Sequence, residues 1–87
     1  MSMKIALTPQ FRRMFKKLED NLQLEALEKI CFLEADINLE QLHIHKLKGR
    51  LKDRYSFSVN YKVRIVFCYL SKDEVALLAI GSHDIYQ

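Results

Sequence analysis

The sequence predicts a single α+β domain over residues 1–87: an N-terminal strand, an antiparallel helix hairpin, then a three-stranded antiparallel meander. Three observations predict it. A chain of 87 residues holds one core, because single-core units run to roughly 50 to 200 residues. Apolar residues recur at helical spacing in the first half and alternate with a period of two in the second. The later apolar runs are joined by links too short for a parallel crossover, which takes about a dozen residues.

Lys4 to Leu7 reads as a short strand. Thr8-Pro9 then reads as an N-cap followed by proline at the first helical position, where its missing N–H costs nothing. Phe11, Met14, Phe15 and Leu18 fall at i, i+3, i+4 and i+7, giving a helix one apolar face, with Arg12, Arg13, Lys16 and Lys17 mostly turned away from it. Asp20-Asn21 ends this helix and caps a second, from about Leu22 to Ala35, whose apolar stripe is Leu24, Leu27 and Cys31 flanked by Ala26, Ile30 and Leu33. So short a link between two helices predicts a hairpin. Tyr55, Phe57, Val59 and Tyr61 alternate with Ser56, Ser58 and Asn60, the pattern of a strand with one buried and one wet face. Val63 to Leu70 is almost continuously apolar and suits an interior strand. Ser71-Lys72-Asp73-Glu74 is a polar turn, and Val75 to Ile80 is the last strand, ending at Gly81.

Composition places the chain among folded globular proteins: 49% of residues are apolar, 29% are charged, and there are two glycines and one proline. Cys31 and Cys68 sit among apolar neighbours, which suits buried, reduced thiols. The first residues lack the apolar stretch of a secretory signal, and nothing approaches the 18 or so apolar residues that cross a bilayer. A cytoplasmic protein with no membrane partner is the expectation.

Charge is sorted along the chain. Residues 4 to 17 carry Lys4, Arg12, Arg13, Lys16 and Lys17 with no acid, whereas residues 19 to 40 carry seven acids against Lys29 alone. Residues 43 to 64 carry Lys46, Lys48, Arg50, Lys52, Arg54, Lys62 and Arg64 against Asp53. Such a basic stretch suits a polyanion, since phosphate contacts supply most non-specific nucleic-acid affinity. It is equally what a solvated face looks like.

The candidate chemistry is sparse. His43-x-His45 and the distant His83 lack the spacing of a dedicated metal site, and no CxxC or HExxH occurs, so no metal is expected. With Gly49 and Gly81 the only glycines, there is no glycine-rich phosphate loop and no cofactor is implied. Arg64 interrupts an apolar strand, and a buried guanidinium without a partner is costly. It must reach an open sheet face, a carboxylate such as one on the second helix, or an anionic ligand. His83 and Tyr86 follow the last strand; histidine transfers protons near neutral pH and tyrosine stacks on bases. With Arg64 they make the parts of a metal-free ribonuclease.

His45-x-Leu47-x-Gly49, the run Tyr55 to Phe67 and the ending Ile80-Gly81-Ser82-His83-Asp84-x-Tyr86 together resemble the RelE/ParE superfamily of bacterial type II toxin–antitoxin toxins. The likeness spans nearly the whole chain. It implies a microbial-RNase-like fold and, in the RelE branch, cleavage of messenger RNA in the ribosomal A site. It also implies a cognate antitoxin that wraps the toxin and blocks its site. Arg64 matches the arginine that opens the superfamily's Arg-Ile-x-aromatic strand, and Gly81-Ser82-His83 matches its terminal Gly-(Ser/Thr)-His element. His45 matches the active-site histidine of the YafQ-like branch. Ser58 stands where many relatives carry arginine, and the His83 to Tyr86 ending is one residue shorter than the common His-Asp-x-x-Tyr.

The resemblance therefore implies an endoribonuclease giving a 2′,3′-cyclic phosphate, with His83, Arg64, His45 and Tyr86 at the site and Lys46, Lys48, Arg50, Lys52, Arg54 and Lys62 docking RNA. Two alternatives stay open at this point. One is a ParE-like inhibitor of DNA gyrase, which performs no chemistry on the same fold; the other is a degenerate toxin that retains only antitoxin binding.

Overall fold

The computed structural model describes residues 2–49 and 53–82. In chain order it contains β1 (Lys4–Leu7), α1 (Pro9–Lys16), α2 (Asp20–Ala35), a single 3-10 turn (Leu39–Leu42), β2 (His45–Lys46), β3 (Tyr55–Ser58), β4 (Arg64–Ser71) and β5 (Glu74–Gly81).

Thr8 fixes the entry to α1. Its backbone is extended, and its Oγ1 accepts from Phe11 N–H at 3.1 Å while donating to the Leu77 carbonyl at 2.8 Å. One hydroxyl thus caps the helix and ties it to β5. At the far end, Gln23 Nε2 donates to the carbonyls of Phe15 and Leu18, both at 3.1 Å, so α2 satisfies acceptors that α1 leaves open. Glu19, rather than Asp20 or Asn21, is the N-cap of α2, and it makes no side-chain cap bond. Met3 N–H donates to Glu34 O at 2.8 Å and joins the end of α2 to the start of β1.

The strands form one five-stranded mixed sheet in the order β1-β5-β4-β3-β2. β3, β4 and β5 pair antiparallel in succession. Two additions enlarge the sheet beyond the expected meander. β1 lies parallel to β5, with Ile5 opposite Val75, and the two-residue β2 pairs antiparallel with β3.

Alternation sends Phe57, Ile65, Phe67, Val75, Leu77 and Ile80 to one face, where they form the core with Phe11 of α1, Ala26 and Leu33 of α2, and Leu42. Fully burying each of the larger side chains stabilises the fold by roughly 1.5 to 3 kcal/mol. Leu77 and Ile80 share that face despite odd spacing because Phe67 pairs with Leu77 and Val66 with Ala79, leaving Leu78 as an extra residue in the ladder. The opposite face carries Ser56, Ser58, Arg64, Val66, Cys68, Ala76 and Ala79.

Three expectations are corrected. The buried row of α2 is not Leu24, Leu27 and Cys31: Leu24 is 66% and Leu27 47% exposed, Cys31 is exposed, and Ala26 and Leu33 face the core with Leu22 and Ile30. Both rows are apolar at helical spacing, so periodicity alone does not choose between them. The strand pattern at Tyr55 stops at Ser58 instead of running to Tyr61, which is 87% exposed, because Asn60 turns the chain. Ser56, expected on a wet face, is fully buried.

The exposed row of α2 borders a groove. Leu7, Phe11, Phe15, Leu27 and Ile30 line a cavity of about 300 Å³ between β1, α1 and α2, with Arg12 and Lys16 at its edge. Among the described residues no helix is long and apolar enough to cross a membrane.

Candidate functional site

Arg64 is the first residue of β4, on the sheet face opposite the helices, and neutral oxygens hold its guanidinium from three directions. Nε donates to Ser56 Oγ at 3.1 Å, Nη1 to Ser58 Oγ at 2.5 Å, and Nη2 to the His43 carbonyl at 2.9 Å. Both serines come from β3, two residues apart and therefore on one face, and the register sets Ser58 directly opposite Arg64. A guanidinium has five N–H donors, so two are unclaimed among the described residues.

The third acceptor depends on an unusual backbone. His43 ends the 3-10 turn in the left-handed region, at φ 49°. Few non-glycine residues adopt that conformation, and histidine does so more readily than most. It is this residue whose carbonyl meets Arg64.

Among the described residues no carboxylate pairs with the arginine. The only ion pair among the described residues joins Lys29 to its neighbour Glu28 on α2, at 2.9 Å. Glu25 of α2, on the helix that could have supplied an acid, instead accepts from Asn60 Nδ2 at 2.9 Å. The pairing with an acid of α2 left open by the sequence is thus absent, and among the described residues the guanidinium meets only neutral oxygens.

His45 joins the same face. It lies opposite Ser56 across β2 and β3, and directly opposed residues project to one side with Cβ atoms about 4.5 to 5.5 Å apart. The residue that accepts from Arg64 Nε is therefore also the cross-strand neighbour of the exposed His45. Reading across the sheet, His45, Ser56, Val66 and Ala79 form one row, and Ser58, Arg64 and Gly81 the next.

The basic residues divide. Lys46 lies opposite Tyr55, so it leaves the sheet on the face away from His45. Lys48, Arg54 and Lys62 are exposed, and Leu47 N–H donates to Arg54 O at 2.9 Å, which continues the β2–β3 ladder. His83 and Tyr86, and with them Arg50 and Lys52, lie outside the described residues. Gly81, two positions before His83 in the sequence, is the partner of Arg64 in β5. Among the described residues no three His, Cys, Asp or Glu side chains converge as a metal site.

Sequence reasoning missed Ser56, the His43 carbonyl and Asn60. The serines had a usable signal: in a hairpin closing between Ser58 and Arg64, every second residue of β3 faces the arginine. The His43 carbonyl had none, since a backbone acceptor carries no mark in the sequence.

No family model and no curated protein matches the sequence. Solved structures do. A copper-bound mutant toxin from Helicobacter pylori matches with TM-score 0.72 at 26% identity, over 98% of this chain and 99% of its own. The toxin–antitoxin complex RelBE2 from Mycobacterium tuberculosis matches with TM-score 0.74 at 19% identity, over 95% and 100%. The fold is that of RelE-type toxins. The E. coli DinJ-YafQ toxin–antitoxin complex extends the comparison, with TM-score 0.76 at 13% identity over 98% and 97% of the two chains. In this RelE-type fold the face carrying Arg64 and His45 belongs to the strands alone, while the helices occupy the other.

Proposed function

We propose that this chain is the toxin of a type II toxin–antitoxin pair and cuts messenger RNA in the ribosomal A site, in the cytoplasm, without a metal or cofactor. The observation that carries the reading is the Arg64 guanidinium, aimed by three neutral acceptors, unpaired with any described acid, and adjacent to His45 through Ser56.

The chemistry follows from those groups. The substrate's own 2′-hydroxyl attacks the neighbouring phosphorus and the bond to the 5′-oxygen breaks, leaving a 2′,3′-cyclic phosphate and a 5′-hydroxyl. Negative charge grows on the phosphoryl oxygens, and Arg64, with two N–H donors unclaimed among the described residues, stabilises it. One imidazole takes the 2′-hydroxyl proton and another returns a proton to the leaving oxygen; His45 and His83 are assigned to these two roles. Tyr86 stacks on or orients a base. Lys48, Arg54 and Lys62, with Arg50 and Lys52, draw the RNA in, and Lys46 serves a strand that passes around the β2 edge.

The partner in this reading is a cognate antitoxin. That RelBE2 and DinJ-YafQ, which share this fold, are toxin–antitoxin complexes supports it, and the apolar groove between α1 and α2 offers a place for it. Arg12 and Lys16 at the groove edge favour an amphipathic helix with acidic flanks.

The test is to induce the chain alone in a bacterium and map the 5′ ends of cellular transcripts. Cuts inside translated frames are expected. Intact messages together with stalled replication and DNA damage would show a gyrase inhibitor instead.

A further inference from the structure

The loop between β3 and β4 is braced and places an aromatic ring in water. Tyr61, at its tip, is 87% exposed, the most exposed large apolar side chain among the described residues. Single exposed aromatics are ordinary on protein surfaces; a braced loop beneath one is less so. Val59 N–H and Asn60 N–H both donate to Val63 O, at 2.8 and 3.2 Å. Asn60 Oδ1 accepts from Lys62 N–H at 2.8 Å and Val63 N–H at 2.9 Å, and Asn60 Nδ2 reaches across to Glu25 of α2 at 2.9 Å. Five hydrogen bonds thus fix five residues, and the side chain they present is not packed on the protein.

The surroundings of the ring are cationic. Lys62 Nζ lies 5.7 Å from its centroid, within the range of an attractive cation–π contact. Residues 54 to 71 contain Arg54, Lys62 and Arg64 and no acid; Glu25, at the base of the loop, is taken up by Asn60. Arg64 follows Tyr61 by three residues, so their Cα atoms are separated by no more than about 11 Å. An exposed ring on a braced loop beside positive charges is how sequence-tolerant single-strand binders hold bases.

We infer that Tyr61 is a stacking platform for a nucleobase of single-stranded RNA, with Lys62 beside it for the backbone phosphate. The inference rests on the RNA-cleaving reading above and adds to it a residue that grips the strand next to the phosphate held by Arg64. Asn60 and Glu25 are positioning residues: they keep the ring out of the protein and facing the strand.

Binding of a single-stranded RNA of about ten nucleotides, a length typical of single-strand sites, tests this on the purified full chain. The 2′-oxygens of the probe are methylated so that it is not cut. Tyr61→Ala is expected to weaken binding about tenfold, while Tyr61→Phe, which keeps the ring, stays within about twofold of the parent. The chain contains no tryptophan, so in a Tyr61→Trp variant the indole emission reports this position alone. It should be quenched by the single strand and unaffected by the same sequence as a duplex. If Tyr61→Ala binds the probe as tightly as the parent while Arg64→Ala loses it, the RNA reading stands, the ring serves a protein contact, and the inference is overturned. If the parent chain binds no single-stranded RNA, both fall together.

Discussion

Arg64 Nε donates to Ser56 Oγ at 3.1 Å, across the register in which Ser56 also faces His45. A single buried serine therefore holds Arg64 through its hydroxyl and lies directly across the strands from His45, the other proposed catalytic side chain among the described residues. Deleting that hydroxyl leaves both groups present and loosens the relation between them. Ser56→Ala is expected to lower stability by about 1 kcal/mol, a fall of roughly 4 to 8 °C in melting temperature for a domain of this size. RNA cleavage should drop about ten- to a hundredfold, the usual penalty for a misplaced catalytic group. Thermal melting and single-turnover cleavage measure the two effects separately. Activity equal to the parent would show that the arginine needs no such anchor.

His43 contributes its carbonyl, not its imidazole, so its variants should sort by backbone conformation. His43→Gly is expected to melt at or above the parent and to keep its activity, because glycine adopts positive φ freely. His43→Val should lose about 1 to 3 kcal/mol, since a β-branched residue resists φ 49°. Activity should fall with it as the acceptor for Nη2 moves away. Circular dichroism melts and the same cleavage assay check the pair. A dead but stable His43→Gly variant would mean that the ring itself takes part.

Much of the fold was legible in the sequence, and the failures have definite causes. Thr8-Pro9 announced α1 because a hydroxyl acceptor and a missing N–H each suit one position of a helix start. The alternation from Tyr55 announced β3 because a half-buried strand has no other pattern. The inward row of α2 was not legible, as Leu22, Ala26, Ile30 and Leu33 compete with Leu24, Leu27 and Cys31 at equivalent spacing. Nor was the parallel pairing of β1 with β5, which is set by tertiary packing between the two ends of the chain. β2 is two residues long, too short to carry a period. At the site, Arg64 could be nominated by residue type and His45 by the family resemblance. Their convergence required the registers of two hairpins, and Ser56 concealed its role by looking like the wet half of a strand.

Leu27 separates the proposed partner surface from the proposed site. It is about half exposed, lines the groove beside α1, and lies on the side of the sheet away from Arg64. Leu27→Glu is expected to change stability by less than about 0.5 kcal/mol, as surface substitutions usually do, and to leave toxicity intact. It should abolish copurification with the proposed cognate antitoxin, because a charged carboxylate would replace an apolar contact in the groove. Undiminished copurification would move the partner to another face.

The account stands on the charge of residue 64 being free to meet a phosphate. The direct measurement compares the parent chain with Arg64→Ala and Arg64→Lys by mapping transcript 5′ ends after induction, with melting curves of all three as a control for folding. Arg64→Ala should reduce cutting by about a hundredfold or more, in line with removal of a single transition-state donor. Arg64→Lys should rescue it only weakly, since an ammonium cannot reproduce the fork that Ser56, Ser58 and the His43 carbonyl hold. A folded Arg64→Ala chain that cuts messages as efficiently as the parent would contradict the account.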